Sequence, residues 1–231
     1  MFRFFGKIEN NQVRLSDKDI RKIKTVLRGK IGDSFQFLSN DDLYLIKISK
    51  LEPLSFTFEK IENGNHELKK KITLYLAPIK GDHLDFAIQK SVELGVNEIV
   101  FLNTKRVVRN IEENRLTRYE KIIYDAASQS KRNIVPVLKK IVCVKDLKLA
   151  PDTYGIFCYE KEDGSKNLIK NLSNIKEKNI AVLIGPEGGF EKDEVDLINS
   201  LGFNSVSLGN RILRADTSAL YIMSILSTIY N

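Results

Sequence analysis

Five apolar residues in a row, Ile180-Ala181-Val182-Leu183-Ile184, place the tightest constraint on how this chain folds. A strand with one wet face alternates apolar and polar residues, whereas a strand apolar at every position is covered on both faces, the condition inside a parallel sheet. Parallel strands need long crossovers, and the flanking sequence supplies helical ones. Strand patterns over Ile72–Ala77, Glu98–Leu102, Tyr154–Tyr159 and Ser205–Leu208 alternate with helical patterns. The first helix is expected to start at Asp82 as N-cap, to turn Leu84, Ala87, Ile88 and Val92 inward, and to stop at Gly95. A longer helix runs from about Glu112 to Gln129 with Leu116, Tyr119, Ile123 and Ala126 inward, and helices over Glu191–Ser200 and Asp216–Tyr230 follow. Residues 72–231 are therefore predicted to form an α/β domain, a parallel sheet with helices on both faces and right-handed crossovers.

Residues 1–67 read differently. Short strands are expected at Phe2–Phe5, Gln12–Leu15, Ser34–Leu38, Leu43–Ser49 and Ser55–Ile61, parted by turns at Gly32-Asp33, Asn40-Asp41-Asp42 and Pro53. One helix interrupts them: Ser16 caps it, Asp19 completes a capping box, and Ile20, Ile23, Val26 and Leu27 form its inner face. The polar stretch Glu62–Lys71 is expected to link this small β-rich module to the larger domain.

Charge is uneven: residues 68–150 carry a net +8 against +2 before and −3 after, so the middle third is where a polyanion would be attracted. The two cysteines, Cys143 and Cys158, are not in a CxxC and are expected to be reduced and buried. The two histidines, His66 and His83, have no metal-ligand spacing, and no metal site is expected. No run is long and apolar enough for a membrane span, and the opening Met-Phe-Arg-Phe-Phe-Gly-Lys turns polar at once, unlike a signal peptide, so a cytoplasmic location is expected.

The chemistry is expected in two glycine-bearing stretches, Ile184-Gly185-Pro186-Glu187-Gly188-Gly189-Phe190 and Leu208-Gly209-Asn210-Arg211-Ile212-Leu213-Arg214-Ala215-Asp216-Thr217. Each follows a short strand and precedes a helix, and open parallel sheets hold ligands beyond the carboxyl ends of their strands. Glycines there let the backbone approach a ligand and offer it N–H and C=O groups, which with aliphatic side chains can hold an adenine ring. Neither stretch matches GxGxxG or GxxxxGK[ST], which excludes a dinucleotide fingerprint and a phosphate loop.

This pair of motifs resembles the signature of the RsmE family of 16S rRNA uridine-N3 methyltransferases, in the SPOUT superfamily. The resemblance extends to Val26–Asp33 and the Arg3-Phe4-Phe5 start, and to Ala77–Asp82, Gln89-Lys90, Glu93–Gly95 and Ala127–Arg132. It implies a PUA-like RNA-binding domain over residues 1–67. Over residues 72–231 it implies a methyltransferase domain with a deep trefoil knot at about 180–231. It also implies a homodimer acting on 16S rRNA or the 30S subunit, at uridine 1498 in the conventional rRNA numbering, near the decoding centre. The implied cofactor is S-adenosylmethionine, held by Ile184, Gly185, Gly188, Leu208, Gly209, Ile212 and Leu213, with Glu187 at the rim. The chain departs from the pattern at Asn210, where the family usually has Pro, at Ala215-Asp216, where it usually has Thr-Glu, and at Lys131, where it usually has Gly.

Uridine N3–H is a weakly acidic imide, so a proton must leave as the methyl arrives. Arg214 or Arg132 is expected to stabilise the developing imidate charge, with Asp216 a candidate base or, equally, the N-cap of the last helix. N3 lies on the pairing edge, so the base must be unpaired or extruded. Arg3, Arg28, Lys80, Arg106, Arg109, Lys131 and Arg132 are candidate phosphate contacts, while Phe4, Phe5 and Tyr44 fit a core better than a stacking platform. A ribose 2′-O or tRNA methyltransferase of the same superfamily, and a non-catalytic RNA-binding assembly factor, are the competing readings.

Overall fold

The computed structural model describes residues 2–107, 111, 115–159 and 168–231. It divides into two compact units, Met1–His66 with Ser128–Asn133, and Glu67–Ala127 with Ile134–Asn231.

In the first unit, strands β1 (Arg3–Phe5), β4 (Ser34–Ser39), β5 (Asp42–Leu51) and β6 (Leu54–Ile61) form a sheet in the order β1-β4-β5-β6, with β1 parallel to β4 and the other pairs antiparallel. A separate hairpin joins β2 (Lys7–Glu9) to β3 (Gln12–Arg14) through Asn10 and Asn11, at φ 50° and 57°. Asparagine tolerates this left-handed pair, the backbone a two-residue hairpin needs. Three residues, Lys-Ile-Glu, are too few for alternation to announce β2. Phe4, Ile23, Phe35, Phe37, Ile46 and Ile48 make the core, Phe4 and Phe35 meeting edge to face at 5.5 Å.

Ser16 caps α1 (Asp17–Arg21): its Oγ accepts the Asp19 N–H at 3.2 Å and donates to Asp19 Oδ2 at 2.7 Å. The expected inner face then holds at Ile23 and Leu27 but fails at Val26. Over Lys22–Val26 the helix widens to a π turn, with Leu27 N–H donating to Lys22 O at 2.9 Å. The wider turn rotates later residues off the 3.6-residue stripe, so Ile23 is fully buried while Val26 is 70% exposed.

Arg3 is corrected as a phosphate contact. Its side chain is wholly buried, its Nη1 donating to Lys131 O (2.7 Å), Arg132 O (3.2 Å) and Asn133 Oδ1 (2.7 Å), its Nε to Gln36 Oε1 (3.2 Å). Those bonds explain why Ser128–Asn133 belongs with the first unit. Lys131 takes φ 58°, a left-handed conformation that glycine adopts more cheaply.

Among the described residues, the second unit has six strands, all parallel: β7 (Lys71–Leu76), β8 (Glu98–Asn103), β9 (Val137–Cys143), β10 (Thr153–Cys158), β11 (Asn179–Ile184) and β12 (Phe203–Val206), in the order β12-β10-β11-β7-β8-β9. The apolar run lies in β11, between β10 and β7, and Ile180, Val182 and Leu183 are fully buried. Each such side chain contributes about 1.5–3 kcal/mol relative to exposure. Edge strand β9 was not foreseen, because Lys139-Lys140 breaks its apolar pattern.

Helix α2 (Asp82–Glu93) buries Leu84, Ala87, Ile88 and Val92 as expected. Its N-cap, however, is Gly81 at φ 64° and ψ −148° with no side-chain cap, so Asp82 is the first helical residue, where its charge complements the helix dipole. Helix α3 spans Leu116–Gln129, and the part of its expected range at 112–114 lies outside the described residues. A short α4 (Leu168–Ser173) was not foreseen. Glu191 and Glu194 form a capping box on α5 (Lys192–Ser200), and α6 (Ala215–Tyr230) packs on α2. Strand β12 ends at Val206, short of the expected Leu208: Gly209 N–H donates to Ser207 Oγ at 3.3 Å, and that local bond replaces the sheet ladder. Among the described residues, no helix is long and apolar enough to cross a membrane, and no group of three or more His, Cys, Asp or Glu is placed to hold a metal.

Candidate functional site

Parallel pairing brings the carboxyl ends of β10, β11 and β12 to one edge of the sheet, and the two glycine loops project from it. Between them lies a cleft of about 700 Å³, walled by Ile184–Phe190 and Ser207–Ala215, with Cys158, Tyr159 and Ser218 completing it. That volume suits a small organic ligand, for which clefts of roughly 300–1,000 Å³ are usual.

Two glycines serve different needs. A Cβ on Gly185 would sit 2.3 Å from Cε2 of Phe190, a ring 7% exposed and packed edge to face on Phe157 at 5.1 Å. Gly185 thus lets the loop double back and seat Phe190 in the core. Gly209 has φ 119°, and a Cβ there would meet nothing within 4 Å, so bare backbone faces open space. Cys143 and Cys158 are half-buried rather than buried as expected, Cys158 at the cleft, and desolvation pushes the Cys158 thiol up to about 12, which keeps it protonated at neutral pH.

The first loop is braced from both sides. Lys80 N–H donates to Glu187 Oε1 at 3.0 Å. Arg106 donates through Nε to Glu191 Oε1 at 2.8 Å and through Nη1 to Gly188 O at 3.1 Å, while Lys105 N–H donates to Glu194 Oε1 at 2.9 Å and its ammonium pairs with Asp193. Hydrogen bonds from Arg106 and Lys105 hold the Glu191 and Asp193 carboxyls below the ordinary carboxylate range.

The second loop ends at Asp216, which is not the N-cap of α6. Arg214 holds that position, at φ −66° and ψ 156° with no side-chain cap, and Asp216 is the second helical residue. Its Oδ1 accepts the Thr217 N–H at 2.8 Å, and its Oδ2 lies 2.7 Å from His83 Nδ1. Burial works to raise this carboxyl, but the bonds from His83 and Thr217 outweigh it and hold it below the ordinary range. Asp216 is therefore ionised at neutral pH and a weak proton acceptor.

Ile184, Gly185, Glu187, Gly188, Leu208, Gly209, Ile212, Leu213 and Arg214 all line the cleft. Asp216 does not line it, although its neighbours Arg214, Ala215 and Ser218 do. Arg132 is 2% exposed in the first unit and is not part of the lining, which corrects its candidacy for charge stabilisation in the cleft. Arg28, Lys80 and Lys131 are exposed, Arg106 is occupied by Glu191 and Gly188, and Arg109 lies outside the described residues. Phe190, Ser207 and His83 were missed. Phe190 closes the first motif and could have been read as its packing anchor, whereas a single histidine in the first turn of a helix has no spacing to betray it.

A family of RNA methyltransferase domains matches residues 66–227. The chain is 35% identical over 228 residues to the ribosomal RNA small subunit methyltransferase E of Mesomycoplasma hyopneumoniae (strain 232), covering 97% of this chain and 98% of that one. It is 31% identical to the protein of the same name from Rickettsia conorii (strain ATCC VR-613 / Malish 7), covering 92% and 88%. Among solved structures it resembles a ribosomal RNA small subunit methyltransferase E from Neisseria gonorrhoeae bound to S-adenosyl methionine, with a TM-score of 0.87 at 27% identity, covering 100% of this chain and 98% of that one.

Proposed function

The chain belongs to the ribosomal RNA small subunit methyltransferase E family, and from that premise we propose that it transfers the methyl group of S-adenosylmethionine to N3 of a uridine in 16S rRNA, at the uridine-1498 site. The observation that carries this is the cleft: two glycine loops, far from any phosphate-loop pattern, facing each other across about 700 Å³ at the carboxyl ends of three parallel strands. Its donor set fits the cofactor. Bare backbone at Gly209 suits a flat heterocycle, Ile184, Leu208, Ile212 and Leu213 offer aliphatic contact, and the Glu187 carboxylate complements a cation.

When bound, S-adenosylmethionine supplies an electrophilic methyl carbon; the protein supplies position and proton management. In this reading Ile212 and Leu213 would hold the cofactor through aliphatic contact. Arg214 directs its guanidinium at the uracil carbonyl that gains negative charge as N3 loses its proton. Asp216 fixes the first turn of α6 and, with it, Arg214. Arg28, Lys80 and Lys131 remain as phosphate contacts, residues 1–67 act as the PUA-like RNA-binding domain, and residues 72–231 act as the methyltransferase domain. Knotting over about 180–231 fits the packing of α6 on α2, α4 and β11. Homodimerisation fits the exposed aromatics Phe86 and Tyr221 on the packed helices α2 and α6. A cytoplasmic site of action follows from the substrate.

The test is methylation of 30S subunits and of naked 16S rRNA from a strain lacking the gene, with mass spectrometry of the digested nucleosides. 3-Methyluridine is expected. Methyl on a ribose 2′-oxygen refutes the assignment in favour of another RNA methyltransferase. No S-adenosylmethionine binding at millimolar ligand in calorimetry refutes it in favour of a non-catalytic assembly factor.

A further inference from the structure

The proposed reaction leaves one group without a named acceptor, the proton on uracil N3. We propose, resting on the methyl-transfer reading above, that His83 accepts the N3 proton through Nε2, with Asp216 as the residue that positions its ring.

The geometry is that of a base oriented by a buried carboxylate. Asp216 has a side chain 12% exposed and is fixed by the Thr217 N–H at 2.8 Å on Oδ1. Its other oxygen lies 2.7 Å from His83 Nδ1, while the His83 side chain is 55% exposed. At that separation from an ionised carboxylate Nδ1 must carry a proton, since two acceptors would repel. The neutral ring then has its lone pair on Nε2, the nitrogen not engaged by Asp216. An acceptor held in one tautomer by a third group is the arrangement that makes an imidazole an effective base.

The turn that carries the imidazole is hydrogen-bonded to both loops that wall the cleft. Lys80, three residues earlier, donates its N–H to Glu187 on the rim, and Asp216 lies between the cleft residues Ala215 and Ser218. The turn that begins α2 is thus tied to one carboxylate from each glycine loop. Charged groups on the surrounding elements are Lys80 before α2, Asp82 and Asp85 in its first turn, with Asp85 paired to Arg118 of α3, Glu187 after β11, and Arg214 with Asp216 at the start of α6. Asp216 itself, held ionised by its hydrogen bonds, is the poorer acceptor.

In the step, the N3–H bond breaks, its electron pair stays on N3 and forms the new N3–CH₃ bond, and the proton passes to Nε2. The bond from methyl to sulfur breaks with its pair left on sulfur, so the sulfonium becomes a neutral thioether. The imidazolium then returns its proton to water.

The experiment has two arms. Long-range ¹⁵N–¹H correlation on the ligand-free protein reads the tautomer: a protonated Nδ1 and bare Nε2 in the wild type, lost in Asp216→Asn, are expected, and a bare Nδ1 overturns the proposal. Single-turnover methylation across pH then compares wild type with His83→Gln. A fall of roughly 10²-fold or more, with loss of the acid limb and an S-adenosylmethionine Kd unchanged within about twofold, is expected. An unaltered rate and pH profile in a folded His83→Gln protein overturns the role of His83 while methyl transfer stands. Wild-type protein that binds the cofactor and methylates no RNA overturns both readings.

Discussion

Replacing Gly185 with alanine tests why the first loop has the shape it has. Gly185 is not among the residues with positive φ, so its backbone accepts a side chain; the obstacle is the Phe190 ring, with Cε2 at 2.3 Å, Cζ at 2.9 Å and Cδ2 at 3.0 Å from the new methyl. The ring is 7% exposed and held edge to face on Phe157 at 5.1 Å, so relief requires moving buried aromatics or the loop itself. Overpacking of this kind costs about 1–3 kcal/mol, or roughly 2–12 °C in Tm for a chain of this size. Thermal unfolding of ligand-free Gly185→Ala measures it. Phe190→Leu removes the colliding ring atoms, so the double variant is expected to be more stable than the two single costs imply by at least about 1 kcal/mol. The reasoning is refuted if Gly185→Ala leaves Tm unchanged, or if the two changes add within about 0.5 kcal/mol. The first outcome, joined to weakened S-adenosylmethionine binding, would mean that Gly185 is there for the ligand and not for Phe190.

Three further outcomes are expected. Arg3→Met strips the donor from Lys131 O, Arg132 O and Asn133 Oδ1 in a buried site and is expected to cost about 3 kcal/mol or more in chemical denaturation; loss of RNA affinity with stability intact would restore Arg3 as a phosphate contact. Ile212, 87% exposed at the cleft, contributes little to the folded state, so Ile212→Ala should leave stability within about 0.5 kcal/mol yet weaken S-adenosylmethionine by about 1–2 kcal/mol in calorimetry. Because the Asp216 carboxyl is held below its unfolded value of about 3.9, its stabilisation is fully present above that value and is lost as pH falls through the folded pKa; the Tm gap between wild type and Asp216→Asn should therefore be widest at neutral pH and shrink in acid, and a gap that widens in acid contradicts the lowered pKa.

What the sequence decided by itself were properties carried by short-range pattern. The run Ile180–Ile184 announced a doubly covered strand because every position is apolar, and the stripe Leu84, Ala87, Ile88 and Val92 announced the buried face of α2 because helical spacing puts those residues on one side. The glycine motifs announced loops at strand ends, and both loops do border the cleft. Where a local competitor existed, the pattern misled: the π turn at Lys22–Val26 exposed Val26, Gly81 displaced Asp82 as a cap, and Arg214 displaced Asp216. Only the tertiary structure decided which distant groups meet. Arg3 looks like any surface cation until carbonyls 128 and 129 residues away are found on its guanidinium, and His83 looks idle until packing of α2 on α6 carries it to a carboxylate 133 residues off. Periodicity reports which way a side chain faces within its own element; a pairing between elements depends on the sheet order and helix packing of the whole chain, which no local window contains.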